Sequence, residues 1–278
     1  MTITTAQIKE FAAFLAEEER SAATINKYCR DLHLFAVWLA DAPLTKAAVA
    51  SWKAALIARG YQPSTINAKL TAVGRWLEHI GKSDCKVQHL RLQRQLFRDT
   101  SRDLTRHEYQ RLVTTAEAYG KYRLALILQT ICATGIRVSE LRHITLEAAA
   151  QGRVTISLKG KIRTILLPGK LARKLAKYAR RQRITSGPLF LTRNGTPLSR
   201  KQIWSEMKDL CALAGVEASK VFPHNLRHLF ARSFYKVSRD LAQLADVLGH
   251  TSVETTRLYL ITTSREHEKT LERLQLVS

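Results

Sequence analysis

Between Val221 and Leu260 the chain sets out two histidines, an arginine and a tyrosine at spacings that suit one reaction. His224 and Arg227 stand three apart, so on a helix they share a face, and Pro223 suits the first turn of that helix. Leu248-Gly249-His250 reads as a helix end turned by glycine, and Thr251 to Thr263 as a further helix carrying Tyr259. Arginine grips phosphate oxygens with a two-pronged donor, histidine exchanges protons near neutral pH, and a tyrosine oxygen can attack phosphorus and hold it as an ester. The set points to phosphoryl transfer through a phosphotyrosine. His224 and His228 also stand four apart, a spacing that metal sites use. No glutamate lies between them and no third ligand follows at a suitable spacing, so no metal is expected.

Holding such groups in register takes a substantial scaffold, and 278 residues with 45% hydrophobic and 24% charged content can supply one. The first ninety residues read as a bundle of four helices. One begins with Ile8, Phe11 and Leu15, the next runs from Ser21 to Leu39, a third is capped by Thr45 and ends near Gly60, and the fourth spans Pro63 to Ile80. Beyond them, helices are expected over Thr105 to Ala118 and Lys121 to Ala133, the latter apolar enough to be central. Arg153 to Pro168 alternates and is β-branched, with Lys159-Gly160-Lys161 at a turn, so it predicts a β-hairpin. Helices over Leu171 to Arg183 and Arg200 to Ala214 flank a short strand at Pro188 to Leu191. The expected fold is mainly α with a small β-hairpin in the C-terminal domain. The expected division is a helical domain at 1–94, a basic linker at 95–102 and a larger domain at 103–278.

The charge says what kind of partner to look for. Lys and Arg number 45 against 23 Asp and Glu, a net +22, which favours a polyanion, either nucleic acid or an anionic membrane surface. Residues 1–92 hold 12 basic and 8 acidic residues, net +4; residues 93–278 hold 33 and 15, net +18. The stronger field lies with the candidate chemistry. No apolar run approaches the roughly 20 residues that span a bilayer, and the first residues lack a signal-peptide pattern. The four cysteines stand singly, as in a reducing compartment, so a cytoplasmic protein is expected, at the nucleoid if the source is bacterial.

The order H-x-x-R, then L-G-H, then Tyr259 closely resembles the C-terminal signature of the tyrosine recombinases, the phage integrase family. LGHTSVETTRLY is similar to that family's LGH-S-x-x-T-T-x-x-Y box. The family's earlier A-T-G-x-R-x-S-E-L box is matched by Ala133 to Leu141, about ninety residues upstream. The resemblance implies a two-domain DNA clamp, with a core-binding, SAM-like N-terminal helical domain and an integrase-like catalytic domain. It also implies site-specific recombination through a 3′-phosphotyrosine, two subunits on an inverted-repeat core site in double-stranded DNA, and a tetramer during strand exchange.

Roles follow on that reading. Arg137 and Arg227 meet the charge that develops on the phosphate, and Tyr259 is the nucleophile. A phenol with an ordinary pKa near ~10 is ionised in only about one molecule in a thousand at pH 7, so it needs a base. His224 is expected to take its proton and His250 to donate to a phosphate oxygen. Lys159 matches the hairpin-tip lysine that protonates the leaving 5′-oxygen, with Lys161 and Arg163 as competitors, and Glu140 matches the acidic residue that orients the cations. Lys161, Arg163, Arg94, Arg98 and Lys69 are further candidates for contacts with DNA. No cofactor is expected, since no nucleotide-binding sequence is visible. Two other readings stay open: a type IB-like topoisomerase of the same chemistry, and a DNA-binding relative that exchanges no strands. The chain departs from the family at RHITLEAAAQG, between the first box and the hairpin, and at LITTSREHEKTLERL after Tyr259. Residues 263–276 can form a short helix with a narrow apolar stripe; the resemblance implies that it docks on a neighbouring subunit, and packing on its own domain stays open as the alternative.

Overall fold

The structure of the protein, a computed structural model, describes residues 3–92, 101–158, 161–250, 252–260 and 272, with the backbone alone at Leu158 and Lys161. The chain divides into two compact units, residues 1–94 and 95–278. Residues 95–100 of the expected linker, with Arg94 and Arg98, the hairpin-tip Lys159, and all of the helix expected at 263–276 but residue 272 lie outside the described residues.

The first unit is four helices, α1 (Thr5–Glu17), α2 (Ala22–Leu39), α3 (Lys46–Ala58) and α4 (Pro63–His79). Each start has a local cause. The side chains of Thr4, Ser21 and Thr45 accept from backbone N–H groups of the first turns, and Pro63 opens α4, where a missing N–H leaves nothing unpaired. The 3.6-residue apolar period brings Phe11, Leu32, Phe35, Trp52, Ile66 and Trp76 into one core. Lys69, a candidate for DNA contact, is placed elsewhere: it is buried on α4, with its ammonium 3.0 Å from Asp31, which also holds Lys27 at 2.8 Å. The physical reason is that burial would push the Asp31 carboxyl up, while hydrogen bonds from the two lysines outweigh it and hold the carboxyl below its usual range. The Lys69 charge is consumed inside the bundle.

In the second unit, α5 (Arg106–Ala118) and α6 (Tyr122–Thr134) lie against one another. Leu124 to Leu128 and Ile131 are all buried, so α6 is the central helix that its composition suggests. It ends at Gly135, with φ +63°, where a Cβ would meet the Phe230 ring at 2.5 Å, so both backbone and packing require glycine. A 3₁₀ turn over Val138–His143 follows, and the departing segment RHITLEAAAQG forms a short α7 (Leu146–Gln151) capped by Thr145. Strands β1 (Arg153–Leu158) and β2 (Lys161–Leu166) pair antiparallel, with Ile156 opposite Arg163 and Val154 opposite Ile165. Then come α8 (Gly169–Arg181), α9 (Arg200–Ala214), α10 (Pro223–Ser238), α11 (Leu241–Leu248) and α12 (Val253–Arg257). The fold is mainly helical with one two-stranded sheet, as its sequence predicts.

Two local expectations are corrected. The stretch from Pro188 to Leu191 makes only isolated bridges, Thr145 to Pro188 and Leu191 to Pro197, because each partner segment leaves at once: Thr145 caps α7, and Pro197 lies just before the Ser199 cap of the next long helix. Of the helix expected from Thr251 to Thr263, the described residues 252–260 are helical over Val253–Arg257. The N–H groups of Tyr259 and Leu260 instead bond three residues back, to Thr256 and Arg257, in a tight last turn. Among the described residues no helix is long and apolar enough to cross a membrane.

Candidate active site

Two glycine-capped helix ends make the floor of the site. Gly135 closes α6 and Gly249 closes α11, both left-handed, and each end leaves carbonyl oxygens without helical partners. The carbonyls of Gly135, Leu248 and Gly249 converge on two arginines. Arg227, in the first turns of α10, is only 3% exposed; it donates through Nη1 to the Gly135 oxygen and through Nη2 to the Leu248 oxygen at 2.8 Å. Its Nη2 also lies 3.0 Å from His250 Nε2, and its Nε donates to the Tyr259 hydroxyl at 3.4 Å. One guanidinium therefore touches the nucleophile candidate, a histidine and both helix ends. Burial lowers the Arg227 pKa, an effect partly offset by the Tyr259 hydroxyl.

Arg137, just beyond Gly135, is the more open cation, with its side chain 42% exposed. Glu140, buried, fixes it from both ends: one carboxylate oxygen accepts the Arg137 backbone N–H at 2.8 Å and the other accepts from Nη1 at 3.0 Å. Arg137 Nη2 reaches the Gly249 oxygen at 3.4 Å. Glu140 thus holds its guanidinium where an anion can approach from solvent. Arg163 enters from β2, its Nη1 3.5 Å from the Glu140 oxygen that accepts the Arg137 backbone N–H, and none of its guanidinium nitrogens hydrogen-bonds to a described residue. Burial pushes its pKa down to about 10 against the pull of Glu140, so it remains cationic at neutral pH. Its side chain also explains Gly249, where a Cβ would meet Arg163 Cδ at 2.3 Å.

Tyr259, 6% exposed, packs among three imidazoles. Its ring centroid is 4.3 Å from that of His228 and 5.6 Å from those of both His224 and His250. Ala231, Leu244 and Leu248 form the apolar side of this small cluster. Burial, followed by the charges of Arg227, Arg137 and Arg163 and by His224, lowers the His250 pKa to about 4, so the ring is neutral near pH 7. Since an arginine can only donate, His250 Nε2 is an acceptor here; donating to a phosphate oxygen would require a proton there.

A pH dependence follows from that shift. The folded pKa of His250 lies below the ordinary 6.5, so its contribution to stability is complete above about pH 6.5 and is lost progressively as pH falls toward 4. The melting temperature should decline over that interval, and the decline should be shallower in His250→Gln. An equal slope in the two proteins would show that another group governs the interval.

The structure brings Arg137, Glu140, His224, Arg227, His250 and Tyr259 together. Lys159 lies outside the described residues, and only the backbone of Lys161 is described. Arg163, expected among the DNA contacts and as a rival of Lys159, was missed as a buried neighbour of Glu140. The period of two along β2 carries that signal, because Arg163 shares a face with the buried Ile165. Thr256 was also missed; it is fully buried, and its hydroxyl lies 2.8 Å from His250 Nδ1. Among the described residues no group of three or more His, Cys, Asp or Glu could hold a metal ion.

Known proteins of the same kind can now be set beside this geometry. Residues 102–266 match the phage integrase family, and residues 8–79 match the phage integrase N-terminal SAM-like domain. The chain is 30% identical over 283 residues to tyrosine recombinase XerA of Pyrococcus furiosus, covering 99% of this chain and 96% of the relative. In fold it is similar to XerH recombinase bound to its difH substrate before cleavage, with a TM-score of 0.69, 19% identity and coverage of 96% and 84% of the two chains. It is likewise similar to a lambda integrase tetramer bound to a Holliday junction, with a TM-score of 0.71, 18% identity and coverage of 91% and 76%. With both integrase models matched in order and a relative aligned along nearly its whole length, the chain belongs to the phage integrase family, the tyrosine recombinases.

Proposed function

We propose that this chain is a site-specific DNA recombinase in which the Tyr259 hydroxyl attacks a backbone phosphorus, displaces the 5′-oxygen and holds the strand as a 3′-phosphotyrosine. The observation that carries this reading is the Arg227 guanidinium, whose Nε touches the Tyr259 hydroxyl while Arg137 stands beside it, fixed by Glu140 and open to solvent. A phosphate between the two arginines would lie next to the nucleophile with its developing charge met by fixed donors. His224, one ring from the phenol, takes its proton, and Lys159 supplies one to the departing 5′-oxygen. A phosphate anion between the arginines offsets the charges that disfavour a proton on His250 Nε2, and the protonated ring then donates to a phosphate oxygen. The 5′-hydroxyl of a partner strand then attacks the phosphotyrosine and the protons return by the same groups. The ester conserves the bond energy, so neither nucleotide nor metal is needed.

The partner on this reading is double-stranded DNA with an inverted-repeat core, bound by two subunits and brought to a tetramer for exchange. Support comes from the net +18 of residues 93–278 and from the relatives, a recombinase on its DNA site and an integrase tetramer on a junction. Such a protein works in the cytoplasm, at the nucleoid in a bacterium, and its two domains span 1–94 and 103–278. A nicked suicide substrate carrying the core site, in excess EDTA and without ATP, should trap the protein covalently, and the phosphate-bearing peptide should contain Tyr259. A requirement for magnesium, or a phosphate mapped to another residue, would overturn the assignment. Exchange between two labelled duplexes would separate a recombinase from an enzyme that only nicks and reseals.

A further inference from the structure

We propose that Thr256 is a positioning residue that accepts the Nδ1–H of His250, holds the ring with Nε2 against the Arg227 guanidinium that selects this tautomer, and ties that ring to the backbone of Tyr259. The inference rests on the recombinase reading for its catalytic consequence, but its geometric basis is independent of it.

The neighbours of His250 limit what each ring nitrogen can do. The Arg227 guanidinium carries only donors, so Nε2, 3.0 Å from Nη2, must offer a lone pair. A neutral imidazole has one N–H, which then sits on Nδ1 and points at the Thr256 oxygen 2.8 Å away. The opposite tautomer would set the Nε2 proton against an arginine N–H and leave Nδ1 dependent on the threonine as a donor. Arg227 therefore selects the tautomer, and the threonine oxygen, as acceptor of the Nδ1–H, keeps the ring turned so that Nε2 faces the cations.

Thr256 also has the location for this task. It is 0% exposed, so water does not compete for its oxygen. Its carbonyl accepts the Tyr259 backbone N–H at 3.0 Å, in the tight turn that ends α12. One residue thus holds a catalytic ring by its side chain and the nucleophile by its main chain. His250 and Tyr259 rings stack with centroids 5.6 Å apart, so a rotation of the imidazole would be felt at the phenol. The charged and titratable groups facing His250 are Arg227 and His224 from α10, Arg137 from the turn after α6, Arg163 from β2 and Tyr259 itself. All three arginines disfavour a second proton on the ring. Without the threonine oxygen, no second hydrogen bond keeps the ring against Arg227, and once the ring turns away nothing else in this set selects between the two neutral tautomers.

The test reads the tautomer directly. Full-length protein carrying ¹⁵N-labelled histidine is examined by long-range proton–nitrogen correlation near pH 7, with His250 assigned among the nine histidines by its loss in His250→Gln. The wild type should show Nδ1 protonated and Nε2 bare. Thr256→Val, which keeps the shape but not the oxygen, should shift His250 toward a mixture. It should also lower single-turnover cleavage of the suicide substrate by about 10- to 100-fold, the size usual for losing a group that orients a functional histidine. Half-site binding should stay unchanged, and Thr256→Ser should restore both tautomer and rate. A wild-type spectrum with Nε2 protonated overturns the proposal whatever Thr256→Val does to folding. So does slowed cleavage with an unaltered tautomer, which would reduce Thr256 to packing, or an altered tautomer with unaltered cleavage. If the wild type traps no DNA at all, the recombinase reading fails instead, while the spectrum still decides the tautomer.

Discussion

Tyr259→Phe should bind a half-site as tightly as the wild type and form no covalent complex, with strand cleavage down by about 10⁴-fold or more, as when an enzyme loses its nucleophile. The substitution removes one oxygen and leaves the ring, so the packing against His228, His224 and His250 is retained. The hydrogen bond lost is the long one from Arg227 Nε, at 3.4 Å, and such a bond contributes no more than about 1 kcal/mol. Arg227 keeps its contacts with the Gly135 and Leu248 oxygens, so the site remains assembled. A large loss of activity with an almost unchanged melting temperature is the expected signature. Covalent complex formed by the Phe variant would mean that a different oxygen attacks, and the roles given to His224 and Arg227 would have to be assigned afresh.

Why were most of these groups legible before any coordinates? Each belongs to a short segment whose geometry is set locally. Arg137 and Glu140 are three apart around a tight turn, and Gly135 and Gly249 announce helix ends because only glycine takes their backbone angles without strain. His224 and Arg227 share a helical face that Pro223 opens. The four-helix unit was legible for a similar reason, since its apolar positions recur at helical spacing and its starts carry Thr, Ser or Pro.

The rest depends on contacts between distant segments. Lys69 resembles any surface lysine until Asp31, 38 residues away and buried, is seen to hold it. Arg163 is one of several basic residues around a hairpin, and its separation from the others comes from the face of β2 that Ile165 shares and from Glu140 beneath. Thr256 sits in a box where two threonines adjoin, and spacing alone does not say which of them turns inward; burial of Thr256 beneath His250 does. The overlong helix expected around Tyr259 has the same origin. Periodicity continues through Thr256 and Leu260, while the backbone tightens to three-residue bonds that place the phenol over Arg227.

The two arginines should separate cleanly on substitution, because burial rather than charge distinguishes them. Arg227→Ala deletes the donors of two carbonyl oxygens at the ends of α6 and α11, and each buried oxygen left unpaired costs about 1–3 kcal/mol. Relief of the desolvated charge, visible as the lowered pKa of Arg227, offsets part of that loss without restoring the link between the helix ends. Melting temperature and cleavage should therefore fall together. Arg137→Ala leaves Glu140 with the backbone N–H of residue 137 and the neighbouring Arg163, and it truncates the more exposed of the two arginine side chains. Its cleavage should drop by about 10²- to 10³-fold, the loss usual for one preorganised donor, with little change in melting. Arg227→Lys is the sharper probe of geometry, since an ammonium keeps the charge but cannot span Gly135, Leu248, His250 and Tyr259 as the planar fork does. It should cleave as poorly as Arg137→Ala while melting between Arg227→Ala and the wild type. Equal melting temperatures for the two alanine variants would show that Arg227 does not join the helix ends, and its burial would then have to be explained by the nucleophile alone.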